Sequence, residues 1–180
     1  MKSDDSGPIG NERLTSSTGL VLLVLLAVET LTTLALGTYL NVHLFLGLLL
    51  LPPVALKLAT TGWRFARYYR GSPEYRRKGP PLLPLRLLAP VVVVSTVALF
   101  ATGITLLLVG PGAGLVLLLH KASFVVWLAA TGIHVLFYVA RVPRLASADW
   151  RPLVAVASAL VAGAILAVVT VRYAESWVRV

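Results

Sequence analysis

Five long apolar runs, separated by short polar segments, set the pattern of this chain. They cover residues 19–38, 41–62, 87–109, 115–140 and 152–173. Each reaches the roughly 20 residues that an α-helix needs to cross a ~30 Å hydrocarbon core. Inside such a core the backbone must satisfy its own hydrogen bonds, so the runs predict helices. Residues 1–18 are polar and predict a disordered tail. Pro73, Pro80, Pro81 and Pro84 make 63–86 a long irregular connection. Pro111-Gly112 predicts a tight turn between the third and fourth runs, and Arg144 to Trp150 a short link before the fifth. The expected fold is an all-α integral membrane bundle of five transmembrane helices over 19–180, with 63–86 as its basic loop.

Composition agrees with that class: 58% of residues are hydrophobic and only 13% charged. There is no cysteine, which excludes disulfides, thiolate metal sites and iron–sulfur clusters. The net charge of +9 would point a soluble protein toward nucleic acid. Here the placement of the charge argues for orientation instead. Arg64, Arg67, Arg70, Arg76, Arg77, Lys78 and Arg86 share the 63–86 loop, and Lys2, Arg13, Arg141, Arg144 and Arg151 fall on the same side. The other side has Lys121, Arg172 and Arg179. Basic loops stay inside, so the amino terminus is expected in the cytoplasm and the carboxy terminus outside the plasma (inner) membrane. Trp63, Tyr68, Tyr69, Tyr138 and Trp150 fit an inner aromatic belt, and Tyr39, Tyr173 and Trp177 an outer one. The first run is longer than a signal-peptide core and contains Glu29, so it is expected to be retained.

The ionisable residues within the runs carry the candidate chemistry, because such groups are costly in lipid. His120 and His134 are fourteen residues apart. On a helix that spacing leaves both within ~40° of one face and about 21 Å apart along the axis. Trp127 lies midway between them, with Ser123, Ala130 and Thr131 on or near the stripe. On the second run His43 and Lys57 repeat the fourteen-residue spacing. Both runs cross in the same direction, so depth alone would set His43 opposite His120 and Lys57 opposite His134. Gly47, one turn below His43, would leave room for a flat group, and Pro52-Pro53 would bend the helix between the two levels. Glu29, in the first run, is a candidate proton-handling group, with Lys57 its candidate ion-pair partner. Lys57 could instead snorkel toward Trp63.

This arrangement resembles the bacterial b-type membrane cytochromes, the group that includes ferric-reductase-like proteins and the cytochrome subunits of hydrogenases and formate dehydrogenases. His43, His120 and His134 carry the resemblance, over the second and fourth runs. It implies haem b, with these histidines as iron ligands and Lys121 and Arg172 pairing with the propionates. It also implies electron exchange with a quinone or a redox partner protein. Lys57 departs from the pattern, standing where a fourth histidine would complete a second site, so one haem is expected rather than two.

No glycine-rich phosphate motif, HExxH pair or GxSxG elbow occurs, and there is no flavin or nicotinamide domain. An electron-transfer subunit therefore fits better than a self-contained enzyme. Two other readings compete: a cofactor-free membrane anchor for a larger complex, and a small transporter using Glu29 and Lys57.

Overall fold

The computed structural model describes residues 7–77, 79, 83–110, 112–138 and 150–171. Among them there are helices and no strand. They are α1 (Pro8–Thr32), a 3₁₀ turn (Thr33–Ala35), α2 (Leu36–Tyr69), the short α3 (Pro73–Arg77), α4 (Leu83–Val109), α5 (Gly114–Tyr138) and α6 (Arg151–Thr170). Four helical stretches are long and apolar enough to cross a membrane: Pro8–Tyr69, Leu83–Val109, Gly114–Tyr138 and Arg151–Thr170.

Two expectations need correction. Residues 8–18 are not a disordered tail but the first turns of α1, with Pro8 at a helix start, where its missing N–H costs nothing. The 63–86 connection is also more regular than its prolines implied. α2 continues through Trp63 to Tyr69, α3 occupies part of the loop, and α4 starts at Leu83. α2 closes in a Schellman motif, with Gly71 at φ 87°, its N–H on the Tyr68 carbonyl (3.2 Å) and the Ser72 N–H on the Arg67 carbonyl (3.1 Å). Pro73 then opens α3.

The longest stretch folds back on itself. Thr32 and Thr33 turn their hydroxyls onto the carbonyls of Glu29 and Thr30, each at 2.6 Å, in competition with the helical ladder. The backbone leaves the helical region at Ala35 (φ −144°, ψ 55°) and again at Tyr39 (φ −108°, ψ 17°). α1 and α2 then pack as an antiparallel pair, with Glu29 against His43, Thr15 against Lys57 and Asn11 against Thr60. α4 and α5 form a second such pair. Gly110, at φ 84°, ends α4 with its N–H on the Leu106 carbonyl (2.9 Å).

The chain divides into two compact units. One holds α1, α2, α3 and α6 up to Leu166; the other holds α4, α5 and the last turn of α6. In both, much of the outer surface is apolar and several buried residues are polar. Thr18, Thr60, Ser95 and Thr96 are buried, whereas Leu34 is 80% and Leu136 77% exposed. The buried hydroxyls bond back to carbonyls of their own helices, as Thr18 does to Leu14 (2.7 Å) and Thr96 to Val92 (2.6 Å). Apolar side chains outside and self-satisfied polar groups inside suit a hydrocarbon solvent.

Candidate functional site

His43 lies seven residues beyond Leu36 and Glu29 seven before it, so the fold-back at the 3₁₀ turn brings them to one level. The Nδ1 of His43 is 2.9 Å from Oε1 of Glu29 and 3.1 Å from the Thr32 hydroxyl. The hydroxyl decides the tautomer. Thr32 donates its proton to the Glu29 carbonyl at 2.6 Å, so its oxygen can only accept from the ring. Nδ1 therefore carries a proton, shared between the hydroxyl and the carboxylate, and in the neutral ring the lone pair is on Nε2.

The second unit repeats the device. His120 and Thr102 are each nine residues from Pro111, and Nδ1 of His120 is 3.0 Å from the Thr102 hydroxyl. Thr102 donates to the Ala98 carbonyl at 2.7 Å, so again the oxygen accepts from Nδ1, and in the neutral ring the lone pair is on Nε2. A Cβ on Gly103 would lie 3.2 Å from Cε1 of His120, so this glycine sets how close the ring comes to α4. Within its own hairpin, each histidine is thus held by the proton-bearing nitrogen, as metal-bound imidazoles are.

The other ionisable residue of α2 is held differently. Lys57 donates from Nζ to the Thr15 carbonyl at 2.6 Å, and a Cβ on Gly19 would meet that Nζ at 2.9 Å. Its ammonium is captured by α1 rather than reaching Trp63 or presenting itself as a ligand. The expected Glu29–Lys57 ion pair is not formed, because the fold-back sets Lys57 against Thr15 and gives Glu29 to His43. Gly47 also takes a different part: a Cβ there would lie 3.6 Å from Oε1 of Glu29, so its space belongs to the carboxylate. His134 is half-buried, with its ring against Tyr138 one turn on (centroids 4.8 Å apart). Trp127 and Ala130 are buried, and Trp127 stacks on Phe124 with centroids 6.3 Å apart. Lys121 is exposed, and Arg172 lies outside the described residues.

Three buried oxygens stand out: Oε2 of Glu29 and the hydroxyls of Thr15 and Thr131 have no hydrogen-bond partner among the described residues. No cluster of three or more His, Asp or Glu occurs among the described residues, so nothing there resembles a chelated-ion site. His43 and His120, each within its own unit, are held by a threonine through Nδ1, whereas Lys57 is held by α1.

Sequence reasoning missed Thr32, Thr102 and Gly103. The usable signal was reflection through the turns, which sets Glu29 against His43, Thr15 against Lys57 and Thr102 against His120. Comparison with known protein families, curated proteins and solved structures gives no match, so the reading of this site rests on its own geometry.

Proposed function

We propose that the chain is a membrane b-type cytochrome that binds haem b through Nε2 of His43 and of His120 and passes electrons to or from a quinone or a redox partner protein. One observation carries this reading: both histidines have Nδ1–H fixed by an oxygen that can only accept, which leaves Nε2 as the basic nitrogen in each. A bound haem supplies one-electron exchange. The protein's part is to hold two imidazoles in one tautomer, and Glu29 at His43 strengthens that ring as a donor. Lys121 and Arg172 remain the proposed partners of the propionates. One haem per chain is proposed, because the capture of Lys57 by α1 leaves no protein ligand to pair with His134.

Five crossings follow if the fold-back between α1 and α2 reaches the outer surface, as its Glu29–His43 level and the basic inner end support. The transporter reading loses support, since Glu29 and Lys57 serve different partners fourteen residues of α2 apart.

The test is a spectrum with stoichiometry. Protein expressed with ample haem should show a Soret band and sharp reduced α-bands, with about one haem per chain by pyridine haemochrome. His43→Ala and His120→Ala should each abolish or convert the low-spin signal, and His134→Ala should leave it. Folded wild type without haem, or histidine variants with an unchanged spectrum, would defeat the proposal in favour of a cofactor-free anchor.

A further inference from the structure

The end of α2 carries a cluster of arginine and aromatic side chains that the haem reading does not use. Residues 63–77 hold Arg64, Arg67, Arg70, Arg76 and Arg77 against a single acid, Glu74. The Arg67 guanidinium is engaged by two rings, those of Trp63 and of the buried Tyr75, and this contact seats α3 on the end of α2. Arg70 immediately precedes the Gly71 turn, and a Cβ on Gly71 would lie 3.6 Å from Cζ of Arg76. Arg70 and Arg76 thus flank one turn. Both are exposed, and neither guanidinium is paired with a carboxylate among the described residues. Glu74 is turned toward the start of α1, where a Cβ on Gly7 would lie 3.4 Å from its Oε2.

We infer that Arg70 and Arg76 bind the headgroup phosphate of an anionic phospholipid at this turn. Phosphate is the matching chemistry, because guanidinium forks take phosphate oxygens in pairs and arginines on either side of the turn can grip different oxygens. The depth of the cluster selects a lipid over a soluble acidic protein. From Tyr39, where its backbone is irregular, to Tyr69, its last residue, α2 rises about 45 Å at 1.5 Å per residue. A bilayer with its headgroups is roughly 40–45 Å thick. With the α1–α2 turn at the outer surface, the topology on which this inference rests, the Gly71 turn falls in the opposite headgroup layer. The neighbouring side chains suit that layer. Trp63, Phe65 and Tyr69 are all exposed, and the rings of Phe65 and Tyr69 lie together with centroids 4.5 Å apart. Aromatic side chains of this kind collect where hydrocarbon meets headgroups. A run of basic residues just beyond a membrane helix is a recurrent form of anionic-lipid site.

The intact chain in nanodiscs of phosphatidylcholine doped with phosphatidylglycerol provides the test, with the lipid that survives extraction read by native mass spectrometry. Wild type should retain phosphatidylglycerol in preference to phosphatidylcholine. Arg70→Ala and Arg76→Ala should each lower that retention about fivefold, the effect of one basic residue near a membrane surface. Arg64→Ala removes the same charge from the same helix end, about 120° around the axis from Arg70, and should leave retention unchanged. Arg70→Lys with Arg76→Lys, with helicity checked by circular dichroism, keeps the charge and loses the forks. It should retain less phosphatidylglycerol than wild type and more than the double alanine variant. Haem content should be the same in every variant, which keeps the lipid result separate from the haem reading. The crossing of α2 is read separately, from the reactivity of Gly37→Cys in intact cells. An equal loss in Arg64→Ala, or full retention in the double lysine variant, would reduce the effect to diffuse surface charge. Displacement by inorganic phosphate at the concentration of the lipid would make this a free-anion site. Wild type without a preference between the two lipids would overturn the inference and leave these arginines to an acidic protein.

Discussion

Thr102 and Thr32 act as acceptors because their own protons are already committed to helix carbonyls. That sets a sharp expectation for Thr102→Val, which keeps the shape and removes the oxygen. The variant should lose about 0.6 kcal/mol and no more than about 1.7, the mean and the maximum of double-mutant cycles on hydrogen bonds between membrane helices. It should also lower haem content, since His120 is no longer held in one tautomer. Thr102→Ser should restore both. Thermal unfolding in detergent and pyridine haemochrome read the two effects, and a valine variant identical to wild type would show that the hydroxyl does not hold the ring. At this scale the sequence was half legible. Histidine and glutamate stand out in apolar runs, so His43, His120 and Glu29 were visible. Their partners were not, because threonine is common in membrane helices and a depth comparison of the second and fourth runs skipped the nearest neighbours. Consecutive helices joined by short turns pack together, and that adjacency decided which oxygens the rings met.

At the scale of the helix, Pro52 and Pro53 both lie inside α2, which stays helical through them. Proline removes an N–H, so the carbonyl of Leu49 loses its helical partner at Pro53. The structure brings Gly163 of α6 against that same carbonyl, so closely that a Cβ there would collide with it. Small residues permit such approaches in membranes, and a Cα–H can supply a weak donor to the orphaned oxygen. Gly163→Ala should therefore cost about 1–3 kcal/mol, as overpacking does in a well-packed interior. Gly132 of α5, which has open space around a Cβ, should accept alanine without loss. A melting temperature for Gly163→Ala equal to that of Gly132→Ala would show that α6 is not seated on α2 in this way. The existence of the long helices was plain from the apolar runs, but their ends were not. α1 and α2 extend into polar sequence because the ends of a membrane helix need only remain helical, not apolar, once they leave the hydrocarbon. The aromatic and arginine residues of 63–77 then pack on one another, Arg67 lying 5.7 Å from the Trp63 ring centroid and 5.8 Å from that of Tyr75.

The topology of the whole molecule follows from where the basic residues lie and where the chain turns. If α1 and α2 are separate crossings, the turn near Gly37 and the turn before Gly114 both face outward, while Ser72 faces the cytoplasm with its arginines. The chain lacks cysteine, so a single introduced thiol reports alone. Gly37 and Gly114 have open space around a Cβ, so cysteine at either position disturbs no packing. In intact cells, Gly37→Cys and Gly114→Cys should react with an impermeant maleimide, and Ser72→Cys only after permeabilisation. Labelling at Gly114 without labelling at Gly37 would mean that the α1–α2 hairpin does not reach the outer surface, leaving His43 and His120 at different depths and ending the case for a shared haem. The reverse pattern, with Ser72 alone exposed, would invert the orientation but keep the two histidines at one level. The three thiols therefore separate an error in orientation, which the haem reading survives, from an error in crossing number, which it does not.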